Sequence, residues 1–357
     1  MSTVCSPEAE ALTRELGFDC HDVNPVVSFR FPWDLTNWTM PLLELLIIGG
    51  AVLALVHAVR RYREGDPVNL ALWCASLVYL FVTEPPLYFP EWFGLDELYG
   101  FIFAHNQFTV QFMWDRLPLY IVAFYPVISQ LAYELVRSLG IFRHRGPLAG
   151  SVAVAFACQV FYEVFDHIGP QLKWWAWNMD NRIVNHPAMA SVPMNSMLLF
   201  ASVSMGAMTY LVVRLARGRL LALRILLAGV LTPPTMAIAG IPSSLFSGNA
   251  TAQAWVLGIE LALLWVVGAW IVIAHSAGTR EPLSAFVRFY PAAYLAGMAV
   301  FWISALPDYL AADDGVTSDG TPIGNGLYAL ACFIGAGLLL AALYRTELAR
   351  RKAPATA

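Results

Sequence analysis

Charge is what this sequence has least of. Only 13% of its 357 residues are Asp, Glu, Lys or Arg, while 58% are hydrophobic, and the mean hydropathy is +0.60. A soluble domain carries about 25% charged residues, so there is too little charge here to build a water-facing surface. Other signatures are missing too. No CxxC pair, HExxH helix, P-loop or GxGxxG stretch occurs, which removes the usual sequence marks of zinc, redox and nucleotide sites. No basic tract suggests nucleic acid, and the net charge is only −4. Residues 1–24 contain Glu8, Glu10, Glu15, Asp19 and Asp22 and no apolar core, unlike a cleaved signal peptide. No internal repeat of the kind that marks many transporters is evident.

Long apolar runs are what it does have. A spanning helix needs about 20 mostly apolar residues. Nine segments qualify: 41–59, 68–89, 117–136, 148–168, 193–213, 220–245, 253–275, 289–306 and 327–344. Pro41, Pro118, Pro147 and Pro193 stand at the openings of four of them, where the missing N–H costs nothing. Twelve Trp, fourteen Tyr and twenty-one Phe suit interfacial belts. The expected fold is an all-α, polytopic transmembrane bundle of about nine spans. An N-terminal tail (1–40) would end in an interfacial stretch, a single membrane domain would cover 41–345, and a short tail (346–357) would follow.

Arginine sets the expected orientation. Arg60, Arg61 and Arg63 follow the first span, Arg137, Arg143 and Arg145 the third, and Arg214, Arg217, Arg219 and Arg224 the fifth. Arg280 and Arg288 follow the seventh, and Arg345, Arg350, Arg351 and Lys352 the ninth. The alternate loops hold only Arg116, Lys173 and Arg182. Cytoplasmic loops carry the positive excess, which places the N-terminus outside and the C-terminus in the cytoplasm of a multi-pass cell-membrane protein. A tenth apolar stretch, 98–114, would invert every later loop if it crossed. It is expected as a re-entrant or interfacial helix on the outer side. Backbone at membrane depth survives where protein covers it or a wet cavity adjoins it. Cys5 and Cys20, both in the N-terminal tail, either pair outside the cytoplasm or stay free.

Polar groups within a membrane are expensive and default to functional hypotheses. They concentrate at the outer ends of the second and fourth spans. Glu84 lies in TEPPLYFPEW, and Glu163, Asp166 and His167 lie in YEVFDHIGP at i, i+3 and i+4, a spacing that shares one helix flank. Between and beyond them come His105, Asn106, Trp175, Trp177, Asn178, His186 and Asn195. Three chemistries fit. Glu84, Glu163 and Asp166 can work as general acid and base in a dry cavity. Glu163 and His167, with His105 or His186, offer carboxylate and imidazole to zinc or iron. Acidic groups and histidines also serve ion pathways. The plain structural alternative pairs Glu84 with Arg116 and Asp166 with Lys173 as interfacial ion pairs. Glu44 and Glu260 are the other intramembrane acids noted.

The stretch from 84 to about 200 resembles carotenoid hydratases of the bisanhydrobacterioruberin hydratase type. The resemblance rests on Asp166 and Pro170, then Trp175 and Trp177, then Val192, Pro193 and Asn195, and upstream on Glu84, Tyr99–Gly100 and R-L-P-L-Y at 116–120. His167, Ile168 and Gly169 separate the Asp from the Pro, and Ser191 precedes Val192. Such kinship implies a membrane enzyme that hydrates or rearranges an isoprenoid chain. An acid would protonate a double bond, and carboxylates and aromatic faces would steady the cation. Glu84, Glu163, Asp166 and His167 are then the expected catalytic residues. His105, Asn106, Trp175, Trp177, Asn178 and Asn195 would bind a hydrophobic small molecule. No metal or cofactor is called for. The competing classes are a transporter or lipid carrier, which needs a polar path to the cytoplasmic side, and a non-catalytic scaffold. The sequence does not fix an oligomeric state.

Overall fold

The computed structural model describes residues 5–31, 33, 37–279 and 281–352. A short α1 (Pro7–Leu16) precedes α2 (Thr39–Arg63) and α3 (Val68–Tyr88). After a single turn, α4 (Asp96–Tyr99), come α5 (Leu119–Ser138) and α6 (Ile141–Asp166). A π-helical stretch, Ser196–Ser204, runs directly into α7 (Met205–Leu215). The helices α8 (Leu221–Ser244), α9 (Ala250–His275), α10 (Ala285–Ala311) and α11 (Gly326–Lys352) complete the bundle. Among the described residues nine helices are long and apolar enough to cross a membrane, and the chain is an all-α polytopic membrane protein.

Burial divides the bundle into centre and rim. The apolar window of α5 is 89% buried and that of α6 is 78% buried, against 22% for α8 and 28% for α9. The rim helices turn Leu45, Val52, Val266, Ile273, Leu310 and Leu327 outward. So much continuous apolar surface would drive aggregation in water, and lipid is its natural solvent. Successive spans alternate in direction. The segments after α3, α6, α8 and α10 therefore share the end where α2 begins, here termed the N-side.

The spans follow the apolar runs closely, with two instructive shifts. Gly146 (φ 79°, ψ −177°) breaks the first turns of α6, so the spanning part starts at Pro147, next to the expected residue 148. Helix α11 continues to Lys352, through the expected boundary at 345, because Glu347 collects Arg350 and Arg351 at 2.8–2.9 Å one turn on. Arg280 and residues 1–4 and 353–357 lie outside the described residues. So do 32 and 34–36 of the interfacial lead-in, where Phe31 and Trp33 stack at 4.8 Å.

The stretch 98–114 is not the expected helix. Gly100 (φ 59°) stops α4, and Met113, Trp114 and Asp115 all take positive φ (57°, 55° and 56°), which no right-handed helix admits. Between them run short strands. β1 (Val27–Phe29), β3 (Val110–Phe112) and β4 (Leu117–Pro118) form one antiparallel sheet. β2 (Phe103–His105) pairs with β5 (Trp175–Trp177), Phe103 opposite Trp177 and His105 opposite Trp175. β6 (Ala188–Met189) pairs with β7 (Val192–Pro193). Asp115 anchors the left-handed turn by accepting hydrogen bonds from Ser28 and from Gln107 (2.9 Å). The loops after α3 and α6 are thus woven into one cap on the N-side. α1 packs on β2 and β5 within that cap, and Cys5 and Cys20, on either side of α1, are joined in a disulfide.

Candidate functional site

The cap and the N-side ends of the central helices enclose an aromatic slit. Its local logic is a two-residue period. β2 reads Phe-Ala-His and β5 reads Trp-Ala-Trp. Alternate residues of paired strands share a face, so Phe103, His105, Trp175 and Trp177 form one wall, and all four line the slit. Helix α5 adds Ile121, Phe124 and Tyr125, and α6 adds Tyr162, Phe165 and Asp166. The π-helix begins with Ser196 and brings Phe200, and α3 delivers Glu84 in its last turn. π-turns recur at functional sites because they re-aim side chains. Here Ser202 Oγ donates to Met197 O, five residues back, at 2.9 Å. The slit contains about 770 Å³ not filled by protein atoms, part of it open to the outside.

Two carboxyl groups reach this space. Glu84 is 6% exposed. Tyr125 donates a hydrogen bond to its Oε1, while Oε2 is buried with no hydrogen-bond partner. Asp166 is 3% exposed. Ser196 Oγ approaches its Oδ2 at 3.5 Å, and it makes no ion pair among the described residues. Neither expected structural pairing, Glu84 with Arg116 or Asp166 with Lys173, is what holds these acids. His105 Nδ1 lies 3.2 Å from Tyr120 Oη. Burial without a counter-charge lowers its pKa to about 3, so a neutral imidazole lines the slit at physiological pH.

The other anticipated residues separate by role. Glu163 and His167 face away from the slit, although they share a flank with Asp166 on a helical projection. His167 Nε2 is 3.4 Å from Glu163 Oε2, its Nδ1 accepts the Asn325 N–H at 3.1 Å, and its ring meets Tyr328 edge-on. This pair joins α6 to the start of α11. Asn106 and Asn178 stitch the cap, donating to Lys173 O (2.8 Å) and Phe101 O (2.9 Å). Asn195 lines the slit and donates to Val184 O at 3.3 Å. His186 Nε2 sits 2.8 Å from Met179 O, so neither it nor His105 joins Glu163 and His167. The one metal-compatible cluster among the described residues is Cys5, Asp19, Cys20 and His21, and its two thiols form the disulfide.

No family model, no curated protein and no solved structure matches this chain.

Two features escaped the sequence reading. The aromatic residues Phe124, Tyr125, Tyr162 and Phe165 look like ordinary span residues. Only the fold sets them beside Glu84 and Asp166. The second is a buried polar network in the opposite half of the bundle. Asn69 Nδ2 donates to Gln130 Oε1 (2.9 Å) and Glu134 Oε1 (2.8 Å). His57 Nε2 and Arg137 Nη1 each lie 3.4 Å from Glu134 Oε2. The signal was available: Glu134 falls inside an apolar run and three residues before Arg137, a spacing that permits a pair on one face.

Beside the slit, on the exposed face of the cap, lies a vestibule of about 1240 Å³, part of it open to the outside. Tyr88, Glu91, Asp96, Phe101, Arg116, Asn178, Asp180 and Arg182 line it. Arg116 stacks over Phe101 at 5.1 Å. Burial lowers its pKa to about 10, which still leaves it charged at neutral pH.

Proposed function

We propose that this protein is an integral membrane enzyme that adds water to, or rearranges, a double bond of a hydrophobic isoprenoid lipid by acid–base chemistry. One observation carries the reading: Glu84 and Asp166, from different spans, reach the same aromatic slit, and neither carboxyl is spent in an ion pair among the described residues. A protonated carboxyl at Glu84, steadied by the Tyr125 hydroxyl, would give its proton to an alkene carbon. The cation would rest against the faces of Trp175, Trp177, Tyr162 and Phe124, since aromatic faces attract positive charge. Asp166, ionised, would take a proton from the attacking water or from a neighbouring carbon. The first outcome is hydration, the second isomerisation, and protons balance in both. Glu163 and His167 would hold the end of α6 and so the aim of Asp166.

The resemblance to carotenoid hydratases points the same way. Of its motif residues, Glu84, Asp166, Trp175, Trp177, Pro193 and Asn195 line the slit. Leu87, Tyr162 and Phe200 are only partly buried, which offers a hydrocarbon chain lateral access from lipid. The arginine distribution supports an outer-leaflet position for the slit. To test the reading, purified protein is incubated with total host lipid extract in D₂O. A new product carrying carbon-bound deuterium supports it, and no conversion of any lipid contradicts it.

The network of His57, Asn69, Gln130 and Glu134 favours a second reading, a proton-coupled transporter. Buried Val127 and Ile128 lie along α5 between Tyr125 and Gln130 of that network, so the enzyme reading stands first. Proton flux into dye-loaded proteoliposomes, abolished by Glu134→Gln, would reverse that order.

A further inference from the structure

The slit and the vestibule are lined by chain-adjacent residues, Leu87 beside Tyr88 and Ile102 beside Phe101, so they adjoin, and Tyr88 stands between them. Glu84 lines the slit and not the vestibule, whereas Tyr88 lines the vestibule and not the slit. Four residues separate them on α3, one helical turn, so both point to the same side of the helix. Tyr88 is 4% exposed. Its ring meets Phe103 at 5.3 Å and His105 at 6.0 Å, both edge-on, which fixes it against the slit wall. The hydroxyl makes no well-formed hydrogen bond, and the Glu84 carboxyl is its first charged neighbour. A buried hydroxyl left unsatisfied is costly, and here it separates an aqueous hollow from a candidate proton donor.

The charge of the vestibule narrows what it handles. Glu8, Glu91, Asp96 and Asp180 face it against Arg116 and Arg182. Four carboxylates against two guanidinium groups disfavour an anionic lipid headgroup and suit water and protons.

We infer that Tyr88 is a positioning residue that reloads Glu84 with a proton from vestibule water. This rests on the reading of Glu84 as the acid. After Glu84 has protonated the substrate, the Tyr88 hydroxyl gives its proton to the Glu84 carboxylate. It takes another from vestibule water in the same movement, so no charge stays on the tyrosine, and bulk solvent restores the water. A tyrosine suits this place because its ring closes the slit to bulk water while its hydroxyl still conducts.

The test is infrared spectroscopy of the purified full chain on transfer from H₂O to D₂O. The carbonyl band of a protonated Glu84 is assigned by its loss in Glu84→Gln. In wild type this band shifts promptly to its deuterated position. In Tyr88→Phe, which removes only the hydroxyl, the shift is slower by roughly tenfold or more, the size expected for losing a positioned proton-transfer group. In Tyr88→Ala, where water replaces the ring, exchange is fast again. Equal rates in wild type and Tyr88→Phe overturn the inference, as does slow exchange in both variants, which would signal disturbed packing. Absence of the band in wild type overturns it too, since an ionised Glu84 needs no reloading. Lipid conversion is followed in parallel. Conversion with unslowed exchange in Tyr88→Phe removes the relay and keeps the enzyme. Slowed exchange without conversion of any lipid keeps the relay and removes the enzyme.

Discussion

Replacing Glu84 by Gln separates chemistry from architecture at one atom. Tyr125 donates to Oε1, an acceptor that glutamine retains. Oε2 has no hydrogen-bond partner of good geometry, so the incoming NH₂ group displaces no well-formed bond. The structural cost is that of exchanging one unsatisfied polar atom for another, at most about 1 kcal/mol. The chemical cost is loss of the acid, about 10²–10⁴ in rate, or about 2.7–5.5 kcal/mol of transition-state stabilisation. Tyr125→Phe removes only the supporting hydrogen bond, a net of about 0.5–1.5 kcal/mol, and should slow turnover by roughly tenfold or less. The assay is lipid conversion by purified protein, with size-exclusion profile and thermal melt as controls. A well-folded Glu84→Gln protein that keeps more than about a tenth of wild-type turnover would refute the assignment of Glu84 as proton donor.

Three further outcomes follow from other parts of the molecule. Glu134→Leu leaves Asn69 its bond to Gln130 and Arg137 its pair with Glu281 but strips buried His57 of its partner, and should cost about 1–3 kcal/mol, the usual penalty for an unsatisfied buried polar group, read as a lowered thermal midpoint. Gly324→Ala drives a Cβ to 2.1 Å from the His167 carbonyl oxygen, whereas Gly337→Ala meets nothing within 4 Å. The first should lower the melting temperature and loosen the junction of α6 and α11, and the second should not. His105 titrates near pH 3 when folded and near 6.5 when unfolded, so the unfolded chain binds more protons between those values. Stability should fall as pH drops from 6.5 toward 3, and His105→Gln should flatten that slope in a series of melts.

The spans were legible because the bilayer imposes one strong rule, a length of apolar helix, and the prolines at 41, 118, 147 and 193 mark openings. The cap was not. Phe101, Ile102, Phe103 and Ala104 are as apolar as a helix segment, and the left-handed backbone at Met113, Trp114 and Asp115 depends on tertiary hydrogen bonds to Asp115 that no local propensity records. Within the site, the acids announced themselves by being acidic in an apolar context, which brought Glu84 and Asp166 forward. The same criterion could not separate Asp166 from Glu163, because facing the slit or facing Tyr328 is decided by how α6 rotates against α11. Tyr125 carried no sequence signal, since a tyrosine in an aromatic-rich span reads as packing. Its hydrogen bond to Glu84 appears only when α3 and α5 are brought together.

The central claim is that this slit transforms a lipid, and the most direct test is untargeted lipid profiling of the host. Profiles are compared with the gene present, deleted, and restored as wild type or as Asp166→Asn. The account predicts that one hydrophobic lipid class changes on deletion and returns with wild type. It should not return with a mutant that expresses and inserts normally. Identical profiles in all four strains would contradict it.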